Sequence, residues 1–473
     1  MSNIENKCPN CGSTDISPVG EVLHCNYCNY EFKVKKFNKK QSDEEKIIIS
    51  DGSKDINKEA DKLITLKCSG CGADVTVNLE DTVTARCHWC RTFLSIDDKV
   101  PTGLIPDMLL PFKLRKEEAK SLMENFAGKR QFFATKEFRE EFSTENILGV
   151  YMPYFVVDST DNAYMAGKGE ETISQRTYTD KNKRVHTVYT VRKYEVETKF
   201  NLETRNLTIE SQKSARNFAG DKNSQNIINA IMPFDVENSL EFNSNYTKGY
   251  NIENRDLNVI DMKDEIEDSI EDISKYLINQ ESEISDLDRG ISWTDIKIKN
   301  IKRSINSAYF PIWLYSYMDT NSIIHYIATN ARTGETLGAI PTNFVKLGFF
   351  SFLLTVITFT LMALYSLIKN DNELILDKKI IIAPLIVALG FYYIKKIKYR
   401  NRNKRHDYEC SKDNSLIDFS ANIKPVGMPY ETENPFMAGA NNKSYKGDSR
   451  IDSNIIEREL GKITEVFDQW KKY

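Results

Sequence analysis

Cys8-Pro9-Asn10-Cys11-Gly12, followed by Cys25-Asn26-Tyr27-Cys28, sets a pattern that Cys68-Ser69-Gly70-Cys71-Gly72 and Cys87-His88-Trp89-Cys90 repeat. Each group reads C-x2-C…C-x2-C, with 13 residues between the pairs in the first and 15 in the second. A two-residue gap lets both sulfurs of a tight turn face one ion, and the glycine that follows admits the unusual backbone angle such a turn needs. Four thiolates fill a tetrahedral zinc shell and leave no open position, so both sites are expected to be structural. Cys8, Cys11, Cys25 and Cys28 would hold one zinc ion, and Cys68, Cys71, Cys87 and Cys90 a second. A unit this small cannot bury enough apolar surface to fold alone, and zinc supplies about 10–16 kcal/mol of apparent binding energy to each. Disulfides and an iron–sulfur cluster compete with zinc for eight thiols. The paired turns with strand-like segments between them favour zinc. His24 and His88 each adjoin a ligand, but both sets are complete without them.

Far downstream, residues 347–368 are 22 consecutive uncharged positions. At about 1.5 Å per residue they cross a hydrocarbon core of about 30 Å. A second run, 380–394, has only 15 uncharged residues. It still spans if Lys378, Lys379, Lys395 and Lys396 snorkel to the headgroups, and Pro384 is tolerable in a membrane helix. So short a link between the runs makes them a transmembrane hairpin, about 347–368 and 378–396 within 346–397. Lys395, Lys396, Lys398, Arg400, Arg402, Lys404 and Arg405 crowd the exit of the second span, which the positive-inside rule places in the cytoplasm. Two crossings return the chain, so both termini are expected in the cytoplasm of a multi-pass inner-membrane protein. No signal-like segment precedes the cysteines, in keeping with reduced thiols.

The stretch between cysteines and membrane, 99–345, looks like an α+β domain. Ala119, Leu122, Met123 and Phe126 mark one face of a short helix. Residues 184–192 are rich in β-branched types and continue as strand to Phe200. Residues 323–340 suggest a hairpin turning at Thr333-Gly334. Residues 261–288 carry 11 acidic residues against two lysines. Met262, Ile266, Ile270, Ile273, Leu277, Ile284 and Leu287 keep helical spacing there, as a helix packed on a sheet or a coiled-coil surface would. Tyr151-Met152-Pro153-Tyr154-Phe155 and Tyr309-Phe310-Pro311-Ile312-Trp313 echo each other as Tyr-x-Pro-x-aromatic, which points to a duplicated packing motif.

The cysteine turns followed by Phe32 and Phe93 resemble zinc ribbons of the transcription-factor-IIB type. Leu110-Pro111-Phe112-Lys113, Gly149-Val150-Tyr151-Met152-Pro153-Tyr154-Phe155, Met232-Pro233-Phe234-Asp235 and Thr333-Gly334-Glu335 extend the likeness over roughly residues 1–395. They resemble a family of bacterial membrane-anchored zinc-ribbon proteins. The resemblance implies ribbons, a cytoplasmic α+β domain and a terminal helix pair. Some relatives carry helicase-like labels, and some occur with phage-shock proteins that guard the envelope.

The expected organisation is therefore multidomain. Zinc ribbons at 1–35 and 63–98 flank a linker at 36–62. The α+β domain (99–345) and the hairpin follow, then a basic and flexible tail (398–452) holding the lone thiol Cys410. An amphipathic helix (453–473) ends the chain, with Ile456, Leu460, Ile463, Phe467 and Trp470 at coiled-coil seam spacing.

The whole chain of 473 residues has 64 basic and 68 acidic side chains, a net charge of −4, which excludes nucleic-acid binding through bulk charge. A local patch at Lys33, Lys35, Lys36, Lys39 and Lys40 is set against a solvated linker as its plainer reading. Phosphate-loop chemistry is not encoded: Gly128-Lys129 is followed by Arg130, and Gly167-Lys168 by Gly169. Neither H-E-x-x-H nor G-x-S-x-G occurs, and His186, His325 and His406 have no sequence partner for catalysis. The expected function is non-enzymatic: an adaptor that recruits cytosolic proteins to the inner membrane face, in envelope-stress protection. The alternative is a membrane-tethered nucleic-acid-binding protein.

Overall fold

The computed structural model describes residues 7–13, 15–39, 46–54, 63–68, 72–78, 85–87, 89, 93–94, 99–101, 106–143, 146–179, 185–212, 231–253, 255, 257–318, 324–338, 340–369, 378–400 and 414–434. Strands β1 (Ile16–Val19), β2 (Val22–Cys25) and β3 (Glu31–Phe32) form a small antiparallel sheet around the first cysteines. Next come β4 (Ile47–Ile49), β5 (Leu63–Lys67), β6 (Asp74–Asn78), β7 (Ala85–Arg86), β8 (Phe93–Leu94), β9 (Lys99–Pro101) and β10 (Met108–Leu109). Helices α1 (Lys116–Gly128) and α2 (Lys136–Glu141) precede two long strands, β11 (Leu148–Thr179) and β12 (Val185–Glu210). The chain continues through β13 (Leu240–Glu241), β14 (Asn251–Ile252), helix α3 (Lys263–Ile278), β15 (Ile291–Met318), β16 (Ile324–Asn330) and β17 (Thr336–Gly338). Helices α4 (Phe344–Lys369) and α5 (Lys378–Arg400) come next, then β18 (Ser415–Thr432).

Thirteen of these strands form one sheet among the described residues. Its centre is the antiparallel pairing of β11 with β15, from Leu148↔Leu314 to Gly169↔Ile291. Two short strands join in parallel: β10 lies beside β15 (Leu109↔Tyr309) and β14 beside β11 (Ile252↔Tyr151). The units β10–α1–β11–β12 and β14–α3–β15–β16 thus have the same order, and each lends its short strand to the long strand of the other. Past the central region, β18, β12, β11 and β15 run on as an extended blade. At roughly 3.3 Å per residue its far end lies on the order of 80 Å from Pro153.

Successive strand residues point to opposite faces, and β11 assigns them cleanly. Val150, Met152, Tyr154 and Val156 pack in one core with Cys68, Cys87 and Trp89. Tyr151 packs in a second core with Cys8, Cys25 and the α1 residues Ala119, Met123 and Phe126. Phe155 and Val157, on the same face as Tyr151, pack under α3 with Ile266, Ile270 and Ile273. The two cysteine units therefore sit on opposite faces of one sheet. The acidic helix is a packed one, shorter than its periodicity suggests. Ile284 and Leu287 are buried from the segment that follows it.

Several boundaries differ from those the sequence suggests. Described parts of 36–62 are bound into the domain: β4 pairs with β15, and Asp107 accepts hydrogen bonds from the Ser50 hydroxyl and from Gly52 N at 3.0 Å. Lys39 Nζ reaches Asp158 at 2.8 Å and Asn206 Oδ1 at 2.5 Å, where β12 bulges opposite Asp158 and Asn206 takes a positive φ. The segment 63–98 is no free-standing ribbon, because β5, β6 and β9 belong to the main sheet. Within 398–452, residues 415–432 are a strand paired with β12. Local composition signals neither pairing, because the partners lie more than 200 residues away. The expected helix 453–473, Cys410 and His406 lie outside the described residues.

Helices α4 and α5 pack against each other. Among the described residues one helix, Phe344–Ile368, is long and apolar enough to cross a membrane, and the apolar part of α5, Ile382–Lys395, is shorter. Phe349, Phe352 and Leu361 are exposed on α4, which in water would be a costly surface.

Candidate metal centre

The first cysteine unit is built by two turns of matching geometry. Gly12 N donates to Cys8 O at 2.8 Å and Cys8 N to Ser13 O at 2.8 Å. In the second turn Asn29 N donates to Cys25 O at 2.9 Å and Cys25 N to Tyr30 O at 3.0 Å. Both turns need a left-handed residue after the second cysteine: Gly12 has φ 73° and Asn29 φ 59°. Asparagine tolerates that region better than other side-chain-bearing residues do, so the second turn is encoded without a glycine.

The four sulfurs lie within 4.8 Å of one another. Cys8 Sγ and Cys28 Sγ are 3.6 Å apart, as are Cys11 Sγ and Cys25 Sγ. Zn–S bonds of about 2.3 Å imply tetrahedral edges of about 3.8 Å, so this cluster fits one metal ion. The sulfurs hold their protons unequally. Desolvation works against the Cys28 thiolate, but the Asn10 amide, the Tyr30 N–H and neighbouring thiols bring its pKa down to about 6. His24 is not part of the shell; its Nδ1 lies 3.7 Å from Glu31 Oε1.

In the second unit Cys68 and Cys87 are both buried. Gly72 N donates to Cys68 O at 2.8 Å, Cys68 N donates to Ala73 O at 2.8 Å, and Gly72 has φ 75°. That reproduces the first turn of the first unit. Cys71, Cys90 and His88 lie outside the described residues, so among those described only this pair represents the second set.

Each unit is held to the domain by a buried polar contact that the sequence did not single out. Arg332, 6% exposed, donates from Nη1 to Glu21 Oε1 at 2.6 Å and to Pro111 O at 3.1 Å, and from Nη2 to Asp235 Oδ2 at 2.6 Å. Desolvation pushes the Asp235 carboxyl up, but the Arg332 guanidinium outweighs it and holds the group below its usual range. Glu21 is lowered against its own desolvation by the same guanidinium, with Lys33 assisting. Tyr246 Oη adds a bond to Glu21 O at 3.1 Å. On the opposite face the Trp89 indole donates to Glu253 Oε1 at 3.2 Å, and Gln212 bonds the other oxygen of Glu253. Trp89 also meets Tyr326 edge-on at 5.0 Å.

The motifs at 110–113, 149–155, 232–235 and 333–335 converge on this attachment. Asn330 Nδ2 donates to Ile231 O and Pro233 O, both at 3.0 Å. Phe112 stacks on Tyr250 at 4.0 Å and meets Tyr151 edge-on at 5.1 Å. Their aromatics are packing, not a ligand box. In the lysine stretch Lys33 pairs with Glu21 and Lys39 with Asp158, Lys35 and Lys36 are exposed, and Lys40 lies outside the described residues. His186 sits near Glu433 at 3.4 Å and stacks on Tyr178.

No protein-family model matches the chain, no curated protein aligns with it, and no solved structure resembles it.

Proposed function

We propose that this protein is a membrane-anchored zinc-ribbon adaptor that recruits cytosolic proteins to the inner membrane face. One observation carries the reading. Strand β18, C-terminal to both apolar helices, pairs with β12, N-terminal to both, from Tyr189↔Thr432 to Glu203↔Ser415. A chain whose flanks share a sheet has both flanks on one side of any bilayer. If α4 crosses, α5 must cross back, and its apolar part reaches the required length through the lysines at its ends. This supports two spans with both flanks cytoplasmic, where thiols stay reduced.

The adaptor role follows from what the cysteines leave over. Four thiolates close a zinc shell and offer no position for substrate, so the metal secures shape. The repeated turn at Cys68 supports a second structural zinc, with Cys71 and Cys90 completing it. What the domain then offers is surface, displayed on a long blade and on the two cysteine units. The resemblance to membrane zinc-ribbon proteins points to envelope protection as the setting. Against the nucleic-acid alternative, two lysines of its basic stretch, Lys33 and Lys39, are paired with carboxylates of the protein itself.

Affinity purification of the intact chain from detergent-solubilised membranes tests the reading. Defined proteins should co-elute and persist after nuclease treatment. Ile463→Glu, in the seam of the C-terminal stripe, should remove them without changing metal content. Co-elution of nucleic acid that weakens steeply with salt would favour the alternative.

A further inference from the structure

The 3-10 turn Gln131–Phe133 carries two adjacent phenylalanines with opposite fates. Phe133 is buried, with its ring 5.8 Å from Phe350 on α4 and 6.2 Å from Phe391 on α5. Phe132 is 53% exposed, yet its ring lies 5.1 Å from Phe350. The turn is fastened to the start of α4 by backbone bonds: Asn343 N donates to Phe133 O at 2.8 Å, and Thr135 N to Pro341 O at 3.0 Å. Lys346 Nζ sits 4.0 Å from the Phe132 ring centroid and donates to Phe132 O at 2.6 Å.

We propose that Phe132 is a membrane-surface anchor, inserted at the boundary between headgroups and acyl chains beside the entry of α4. This rests on the reading of α4 as a membrane span. Phe350 is three residues inside the apolar run, about 4.5 Å along the helix axis from its start. Lys346 lies just outside that run, where a lysine extends to the headgroups. A phenyl ring held between the two lies at the headgroup–acyl boundary, where Phe serves as an apolar contact of interfacial segments. Lys395, 5.6 Å from the Phe391 ring at the end of α5, marks the same level on the second helix. The exposed ring thus continues the lipid-facing surface of α4, and the bilayer is its partner. The contact would fix how the domain stands on the membrane, because the turn lies between α1 and α2 and moves with them.

The test uses the full chain in phosphatidylcholine–phosphatidylglycerol vesicles whose acyl chains carry bromine near the headgroup end. Phe132→Trp should add emission that these lipids quench and that aqueous iodide does not. Phe352→Trp, on the exposed face of α4, reports separately whether the helix is in lipid. Quenching by bromine at both positions supports the anchor. Quenching at 352 with iodide access and no bromine quenching at 132 overturns the anchor and leaves the membrane span standing. Absence of bromine quenching at both overturns the anchor together with the span. Unchanged metal content of each variant shows that the domain is folded.

Discussion

Tyr151 on β11 stands opposite Pro311 on β15, and two residues on, Pro153 stands opposite Tyr309. The two Tyr-x-Pro echoes face each other around the Met152–Phe310 pair, as a two-fold axis would place them. Their outward hydrogen bonds match too. Tyr151 O accepts from Glu253 N and Tyr309 O from Leu110 N, while Pro153 O accepts from Ser211 N and Pro311 O from Ala331 N. Proline has no N–H to give a ladder, so it is rare in central strands. Here each proline stands where its strand exchanges one neighbour for another. β11 passes from β14 to β12 at Pro153, and β15 from β10 to β16 at Pro311.

Beside this axis Gly149 leaves room for aromatic rings. A Cβ there would lie 2.5 Å from Tyr250 Cδ1 and 3.1 Å from Trp313 Cζ3. Gly149→Ala should destabilise the domain by roughly 1–3 kcal/mol, the usual cost of overpacking a filled core. Thermal unfolding followed by tryptophan fluorescence measures it; an unchanged midpoint would show that the rings yield freely.

Arg332→Met should release the first ribbon from the domain while its metal stays bound. The cost is about 2–3 kcal/mol, below that of a fully buried pair because Glu21 and Asp235 are partly exposed. Limited proteolysis within 33–39, with metal content measured in parallel, reads both effects. Loss of metal with no gain in cleavage would argue against the clamp.

The same clamp sets a pH dependence. Glu21 and Asp235 are both held below their usual range. Their contribution is therefore complete above the unfolded carboxylate pKa, about 4, and is lost as pH falls through the lowered values. Acid release of the ribbon should follow that course in the unsubstituted protein and be absent in Arg332→Met, whose ribbon is already released. Metal content must be followed alongside, since acid also protonates thiolates.

Metal-replete protein should contain two zinc ions per chain. Cys25→Ser should remove one and unfold the first unit, and Cys68→Ser should remove the other, leaving helix insertion intact in both. Elemental analysis finding one ion in the unsubstituted chain would falsify the second site.

A cysteine placed at Asn372 should react in intact cells with a thiol reagent that cannot cross membranes, while Cys410 should not. The reverse labelling would invert the topology and contradict the expectation of reduced cysteine thiols.

The sequence by itself determined the first cysteine cluster and the apolar helix, because both are encoded locally. Cys8, Cys11, Cys25 and Cys28 declare their turn by spacing and by Gly12, and residues 347–368 declare their length and apolarity whatever surrounds them. Helix α3 was legible for the same reason, in the 3.6-residue period of Ile266, Ile270 and Ile273. The Tyr-x-Pro echo was visible as a repeat, but its meaning was not, since register between β11 and β15 is a relation between segments some 150 residues apart. Only the tertiary structure placed the cysteine units on opposite faces of one sheet. Only it turned the supposed linker and tail into β4 and β18, whose hydrogen-bond partners come from distant parts of the chain. Arg332 and Trp89 escaped notice because nothing near them in sequence differs from a surface arginine or a turn tryptophan. Their roles come from burial beside Glu21, Asp235 and Glu253, and the long-range packing of the whole sheet sets that burial.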